Sequence, residues 1–228
     1  MQDSAAVVIV DGPDPARPSL WTPLAGHIIL ARTVNVFESS PLIQSIILVL
    51  AAEDIAPANT LCRDEGWRKI TGIIARGTSR QASVRSSLDT LAEAAPGNDW
   101  VMIHDAYRPL VTPTLLETGL RAAQEYQAAT AAVRVKETIK QVQQGQISST
   151  LDRSQLWAVQ TPQVFSYPLI HQAHRQAMAQ EQQNVTDDAA LLERLGQRVV
   201  IFPGSYTNIK IMTAEDLLLA EALLQGSL

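Results

Sequence analysis

Cysteine is nearly absent from this chain: Cys62 is the only one. An intrachain disulfide and a zinc centre built on thiolates are therefore excluded. Long apolar runs are missing too. The run Ala5 to Val10 is far too short to span a bilayer, and no basic segment with a small-residue cleavage site frames it as a signal peptide. The cytoplasm is the expected compartment, with no membrane partner. An excess of positive charge is also lacking. The net charge of -5 argues against a nucleic-acid partner, which would call for a basic face. A small anionic substrate stays allowed, because a few focused cations suffice. What remains is ordinary globular usage, 46% apolar and 18% charged over 228 residues. With no repeat, low-complexity tract or linker, the economical expectation is one domain over 1–228.

Short β-branched runs alternate with helical patterns. Strands are expected at Ala6–Val10, Ser45–Ala51, Ile70–Ala75 and Trp100–His104. Helices are expected at His27–Phe37, Pro57–Glu65, Ser79–Ala95 and from Pro113 to about Gln127, the last opened by Thr112 as N-cap. This alternation predicts a mostly parallel, doubly wound sheet. The rhythm then changes. Thr130–Val142 and Ile147–Val159 read as long extended segments joined by a turn at Gln143-Gln144-Gly145-Gln146. Their polar alternation suits an arm projecting from the domain, over about 132–159, and an isolated hairpin needs a surface to pack on. Helices at Pro168–Gln180 and Asp187–Leu195, strands at Arg198–Phe202 and Asn208–Ile211, and a last helix opened by Thr213 complete the reading.

Polar residues cluster where strand and helix ends would present them. Asp105, in His104-Asp105-Ala106-Tyr107-Arg108-Pro109, falls at a strand's carboxyl end, where it can hold a Mg²⁺ bridging phosphates or simply cap the turn. Arg108 can grip a phosphate oxygen or pair with Asp105. Gly77-Thr78-Ser79-Arg80-Gln81-Ala82-Ser83 offers free N–H groups to a base or phosphate, or is an ordinary N-capped helix start. Lys136 and Lys140 share one face of the arm, and for Lys140 a solvated ribbon face is the simpler reading. Lys210 lies among apolar residues, so its head must reach water or an anion. His171 and His174 read as a surface pair with no metal. Asp187 and Asp188 suit a helix N-terminus, and Thr186 before them can face a pocket.

Together GTSRQASV, VMIHDAYRPLV, VKETIK, LDRSQLWAVQTPQVF, TDDAALLERLG and GSYTNIKIMTAEDLLLAE resemble the 2-C-methyl-D-erythritol 4-phosphate cytidylyltransferases, in order from about Ala5 to the last helix. The resemblance implies an α/β, Rossmann-like (GT-A-like) nucleotidyltransferase domain with a projecting β-hairpin arm, and a homodimer joined through those arms. It implies CTP and a sugar-alcohol phosphate as substrates, Mg²⁺ as cofactor, and a product that feeds isoprenoid synthesis. Carried over by residue, Asp105 would bind the metal and the nucleotide phosphates. Gly12, Gly77, Thr78 and Ser83 would face the nucleotide. Arg108, Thr138, Arg153, Thr161, Thr186 and Lys210 would bind the polyol phosphate, with Thr138 and Arg153 reaching in from the partner's arm. Lys210 and Arg153, with Arg17, would stabilise the transition state.

The opening loop departs from the family pattern. Family members carry A-A-G-x-G-x-R followed by a lysine. Here Val10-Asp11-Gly12 stands at A-A-G, Asp14 at the second glycine and Leu20 at about the lysine, among Pro13, Pro15, Pro18 and Pro23. Arg17 is the loop's one basic residue and the candidate for the family arginine. Three readings stay open: a cytidylyltransferase with an atypical loop, a dimeric relative that binds without turnover, and an enzyme for ribitol 5-phosphate.

Overall fold

The computed structural model describes residues 3–180 and 185–226. In chain order the elements are β1 (Ser4–Ile9), the short pair β2 (Pro23–Leu24) and β3 (His27–Ile28), α1 (Ile29–Ser39), β4 (Ile43–Leu50), α2 (Ile55–Asp64), β5 (Ile70–Ala75), α3 (Arg80–Ala94), β6 (Trp100–Asp105) and α4 (Pro113–Tyr126). There follow β7 (Ala128–Arg134), β8 (Lys140–Gln143), β9 (Gln146–Thr150), β10 (Trp157–Ser166), α5 (Tyr167–Ala179), α6 (Asp188–Arg194), β11 (Val200–Pro203) and α7 (Ala214–Leu224).

Seven strands form one sheet in the order β11-β7-β10-β6-β1-β4-β5. Every pairing is parallel except those of β10, which runs against both β6 and β7. The two-residue period of the strands divides the core. Ala6, Val8, Ile46, Leu48 and Met102 face α1 and α4, meeting Leu30, Val34, Phe37, Leu116 and Leu120. Ala5, Val7, Ile47, Val49, Val101 and Ile103 face α3, α5 and α6, meeting Val84, Leu88, Ile170 and Leu191. Burial on both faces explains why β1 and β4 read as unbroken apolar runs. Each such Val, Ile or Leu contributes roughly 1.5–3 kcal/mol of transfer free energy.

Side-chain caps open α3, α4, α6 and α7. Thr112 Oγ1 accepts from Leu115 N–H, with Pro113 at the first helical position. Thr213 and Asp216 form a reciprocal capping box. Helix α2 begins two residues before Pro57, which leaves the proline in the first turn, where no N–H is needed.

Two expectations are corrected. The arm is shorter than 132–159: only β8 and β9 form the separate hairpin, turning at Gln144-Gly145. Residues 132–134 and 157–159 pair with one another inside the main sheet. These residues, Ala-Val-Arg and Trp-Ala-Val, continue the interior strands β7 and β10, and the excursion begins only beyond them. The segment Asn208–Ile211 is no strand. Its backbone is held individually, with the Asn208 carbonyl accepting from Arg108 at 2.8 Å and Ile211 N–H donating to the Tyr107 carbonyl at 2.9 Å.

Helix α4 approaches the sheet through Gly119. A Cβ there would stand 2.8 Å from Phe202 Cζ and 2.9 Å from Val164 Cγ2. Gly119→Val is expected to cost roughly 1–3 kcal/mol by overpacking, read as a lower urea midpoint with an unchanged slope.

Candidate functional site

The chain steps from β1 outward through β4 and β5, then returns to place β6 on the other side of β1. Such a reversal opens a crevice beyond the carboxyl ends of the two strands, the usual ligand position in open α/β sheets. Asp11 lies just past β1 and Asp105 ends β6, so both carboxylates reach that crevice. A hollow of about 340 Å³ lies there, lined by Asp11, Arg80, Asp105, Arg108, Gln160, Thr161, Gln163, Thr186, Asp187 and Lys210.

Three cations converge on it. Arg108 Nε lies 3.2 Å from Asp105 Oδ2. Lys210 Nζ is 3.2 Å from that same oxygen and also donates to Asp11 Oδ2. Arg80 Nη1 donates to Asp188 Oδ2 at 2.6 Å, and its Nε is 3.5 Å from Asp11 Oδ1. Burial alone would raise the Asp105 carboxyl, but Lys210, Arg80 and Arg108 outweigh it and lower it to about 2. Burial likewise works against the Arg80 charge, and Asp188, Asp105 and Asp11 reverse that and raise its pKa. Asp188, fully buried, also accepts from His174 Nε2 at 3.0 Å, and Arg80 and His174 keep its carboxyl below the usual range despite burial.

Behind Asp105 sits His104, fully buried. Its Nε2 lies 3.2 Å from the Arg108 carbonyl, which can only accept, so Nε2 carries the proton. Nδ1, 3.1 Å from Thr161 Oγ1, then accepts from that hydroxyl, while Thr161 Oγ1 accepts from Asp105 N–H at 3.0 Å. This neutral imidazole fixes Thr161, Asp105 and Arg108 relative to one another. Burial holds its pKa down to about 4.

Of the sequence candidates, the hollow gathers Asp105, Arg108, Thr161, Thr186 and Lys210. Gly77 and Ser83 lie beside it at the head of α3, with Gly77 N–H donating to Ser83 Oγ at 2.8 Å. Thr78 is exposed there, and Ser79 is the helix N-cap. Gly12 and Arg17 line a neighbouring cavity of about 290 Å³ with Asp14, Asp54, Arg76 and Tyr107. The Arg17 guanidinium sits 4.6 Å above the Tyr107 ring and 3.9 Å from Asp14, turned away from the hollow. Leu20, at about the family lysine's place, is buried in the core. Thr138 and Arg153 lie exposed at the root of the arm, where Arg153 Nη1 donates to the Lys136 carbonyl at 2.6 Å. The structure does not bring either to this chain's own hollow. His171 and His174 do not form a surface pair: His174 is buried on Asp188, and His171 bonds Asp89 at 2.9 Å.

Sequence reasoning missed Arg80 and Gln163. Arg80 follows a good N-cap and reads as a helix residue; only the folded α6 brings Asp188 to it. Gln163 receives Asp188 and Ala189 N–H groups on its Oε1 and donates to Asp187 and Thr130. No local signal marks a glutamine that ties β10 to a helix 25 residues on.

A divalent cation fits this donor set in one way. Among the described residues no three ligating side chains gather into a cage. Two carboxylates, Asp105 and Asp11, share one lysine head and so lie close together. That suits Mg²⁺, which takes one or two carboxylates and completes its shell with phosphate oxygens and water.

A doubly wound sheet whose carboxyl edge gathers cations around a buried, ionised carboxylate defines an α/β domain built to bind an anion such as a phosphate at that edge. Comparison with known proteins narrows the class. A family model described as 2-C-methyl-D-erythritol 4-phosphate cytidylyltransferase matches residues 14–226. A protein of that name from Syntrophotalea carbinolica is 46% identical over 209 residues, covering 90% of this chain and 87% of its own length. One from Bacillus mycoides is 41% identical over 208 residues, covering 91% of this chain and 90% of its own length. Among solved structures, 4-diphosphocytidyl-2C-methyl-D-erythritol synthase of Anaerococcus prevotii superposes with a TM-score of 0.86 at 27% identity, covering 98% of this chain and 99% of its own. This chain belongs to the 2-C-methyl-D-erythritol 4-phosphate cytidylyltransferase family.

His104 makes the site sensitive to acid. Its folded pKa of about 4 lies below the unfolded value of about 6.5. The unfolded chain therefore binds a proton that the folded chain refuses, and stability falls as pH drops from about 6.5 to about 4. The loss from this residue is about 3 kcal/mol. The Asp105 contribution is lost only at lower pH, below about 4. Urea midpoints across this range are expected to decline less steeply in His104→Gln than in the parent chain.

Proposed function

We propose that this chain transfers the cytidylyl group of CTP to 2-C-methyl-D-erythritol 4-phosphate. The products are 4-diphosphocytidyl-2-C-methyl-D-erythritol and pyrophosphate, in isoprenoid precursor synthesis, and the expected setting is the cytoplasm. Among the described residues no helix is long and apolar enough to cross a membrane. The observation that carries the reading is the convergence of Arg80, Arg108 and Lys210 on one hollow beside the ionised Asp105.

A phosphate oxygen of the polyol attacks the α-phosphorus of CTP, and the bond to the β-phosphate oxygen breaks. The nucleophile is already anionic, so no general base is needed. The demand is for in-line positioning and for cations preplaced where charge accumulates. Lys210, with its head between Asp105 and Asp11, and Arg108, tied to the Asn208 carbonyl, are held for that task. Asp105, with Asp11, would hold a Mg²⁺ that neutralises phosphate charge. Gly12, Gly77, Thr78 and Ser83 would face the nucleotide; Thr161 and Thr186 would face the polyol phosphate. A second copy of the chain would bring Thr138 and Arg153 on its arm, completing each hollow across a homodimer.

One observation favours a second reading. Leu20, which by the resemblance falls at about the family lysine's place, is buried, and Arg17 is engaged with Tyr107 and Asp14. On that reading the chain is a dimer that binds the polyol phosphate without turnover.

Pyrophosphate release from CTP, methylerythritol phosphate and Mg²⁺ separates the two. Turnover is expected, and Lys210→Ala should lower kcat by roughly 10²–10³-fold. Binding of the polyol phosphate with no release would establish the second reading. The arms make a further prediction. Lys210→Ala and Arg153→Ala chains, each impaired alone, should regain about a quarter of the activity when co-expressed, because half of the dimers then carry one intact site.

A further inference from the structure

Asp11 follows β1 and sits among the cations of the hollow. Lys210 Nζ donates to its Oδ2, and Arg80 Nε is 3.5 Å from its Oδ1. That Oδ1 is fully buried, without a hydrogen bond among the described residues. Its backbone carbonyl receives Arg76 Nη1 at 3.4 Å, which pins the loop at this point. The carboxylate thus occupies two of the three cations that a phosphate would use.

The charge facing the hollow decides what can enter. Arg80, Arg108 and Lys210 are balanced by Asp11, Asp105 and Asp187. Asp188, just behind, is already bound to Arg80. The hollow therefore offers a bare polyphosphate no surplus of positive charge, and two carboxylates repel it at short range. A polyphosphate arriving with a divalent cation meets the opposite situation. Asp11 and Asp105 can turn to the ion, and Lys210 is released to the phosphate oxygens.

We propose that Asp11 is a specificity residue that makes this hollow accept a polyphosphate only as its divalent-cation complex. The proposal rests on the reading of the hollow as the CTP site. It assigns Asp11 the role of rejecting metal-free nucleotide and pyrophosphate.

Calorimetric titration with inorganic pyrophosphate, in Mg²⁺ and in chelator, tests it. The parent chain should bind far more tightly with Mg²⁺. In Asp11→Asn, metal-free pyrophosphate should bind about tenfold more tightly, and the gain from Mg²⁺ should shrink by a similar factor. Asp11→Ser, a second neutral variant, should behave alike, and Asp11→Glu should keep the parent's dependence on Mg²⁺. Metal-free binding that is unchanged or weaker in both neutral variants overturns the proposal and leaves Asp11 only as a support for Lys210. A parent chain that binds pyrophosphate under neither condition overturns the CTP reading and this proposal together. Thermal melts of each variant confirm that folded chains are being compared.

Discussion

An ionised carboxylate, itself nearly buried at the wall of an open crevice, is the constraint on which this structure turns. Asp105 is 6% exposed, and burial of that degree favours the neutral acid. It stays charged because Lys210, Arg80 and Arg108 surround it. The dependence is mutual. Three cations this close would repel one another without Asp105, Asp11 and Asp188 between them. Buried ion pairs of this kind add little to stability compared with apolar packing, and removing one partner costs about 3–5 kcal/mol. Their gain is preorganisation: charges already oriented need no rearrangement when an anion arrives. The apolar sheet supplies the stability that lets such a cluster persist at its edge.

The support around the cluster follows the same logic. His104 is neutral because it is buried, and its neutrality lets one ring serve a carbonyl and a hydroxyl at once. Gln163 ties β10 to the start of α6, holding Asp188 where Arg80 can reach it. Asn208 donates to the Thr161 carbonyl at 2.8 Å while its own carbonyl accepts from Arg108. The irregular backbone of this last segment frees it from a ladder and lets it serve the site.

Much of this was legible in the sequence, and the rest was not for identifiable reasons. Periodicity located β4, β5, β6 and α3 because those elements are stabilised by the faces that the pattern records. Thr112 and Thr213 announced their helices because capping is local chemistry. Asp105, Arg108 and Lys210 stood out as charges at strand ends or among apolar residues. Arg80 did not, because its role depends on Asp188, which is 108 residues away. The apolar Asn208–Ile211 run looked like a strand because pattern records burial, not the identity of the neighbour. The long arm was overdrawn because β7 and β10 run straight from the sheet toward the ribbon, and no turn residue in the sequence marks where sheet pairing stops. Arg17 looked like a replacement for a phosphate-binding arginine, and an aromatic ring from another loop holds it elsewhere.

One reversed strand determines where the arm stands. β7 runs with the rest of the sheet and ends at its carboxyl edge; β10 runs the other way and so begins there. Both feet of the hairpin are thus planted on the rim that holds the hollow, clamped by Lys136 over the Tyr206 ring at 3.7 Å and Arg134 over Trp157 at 4.6 Å. Had β10 been parallel, the ribbon would have needed a crossover to the opposite end of the domain. Antiparallel insertion thus makes ribbon and hollow neighbours by topology.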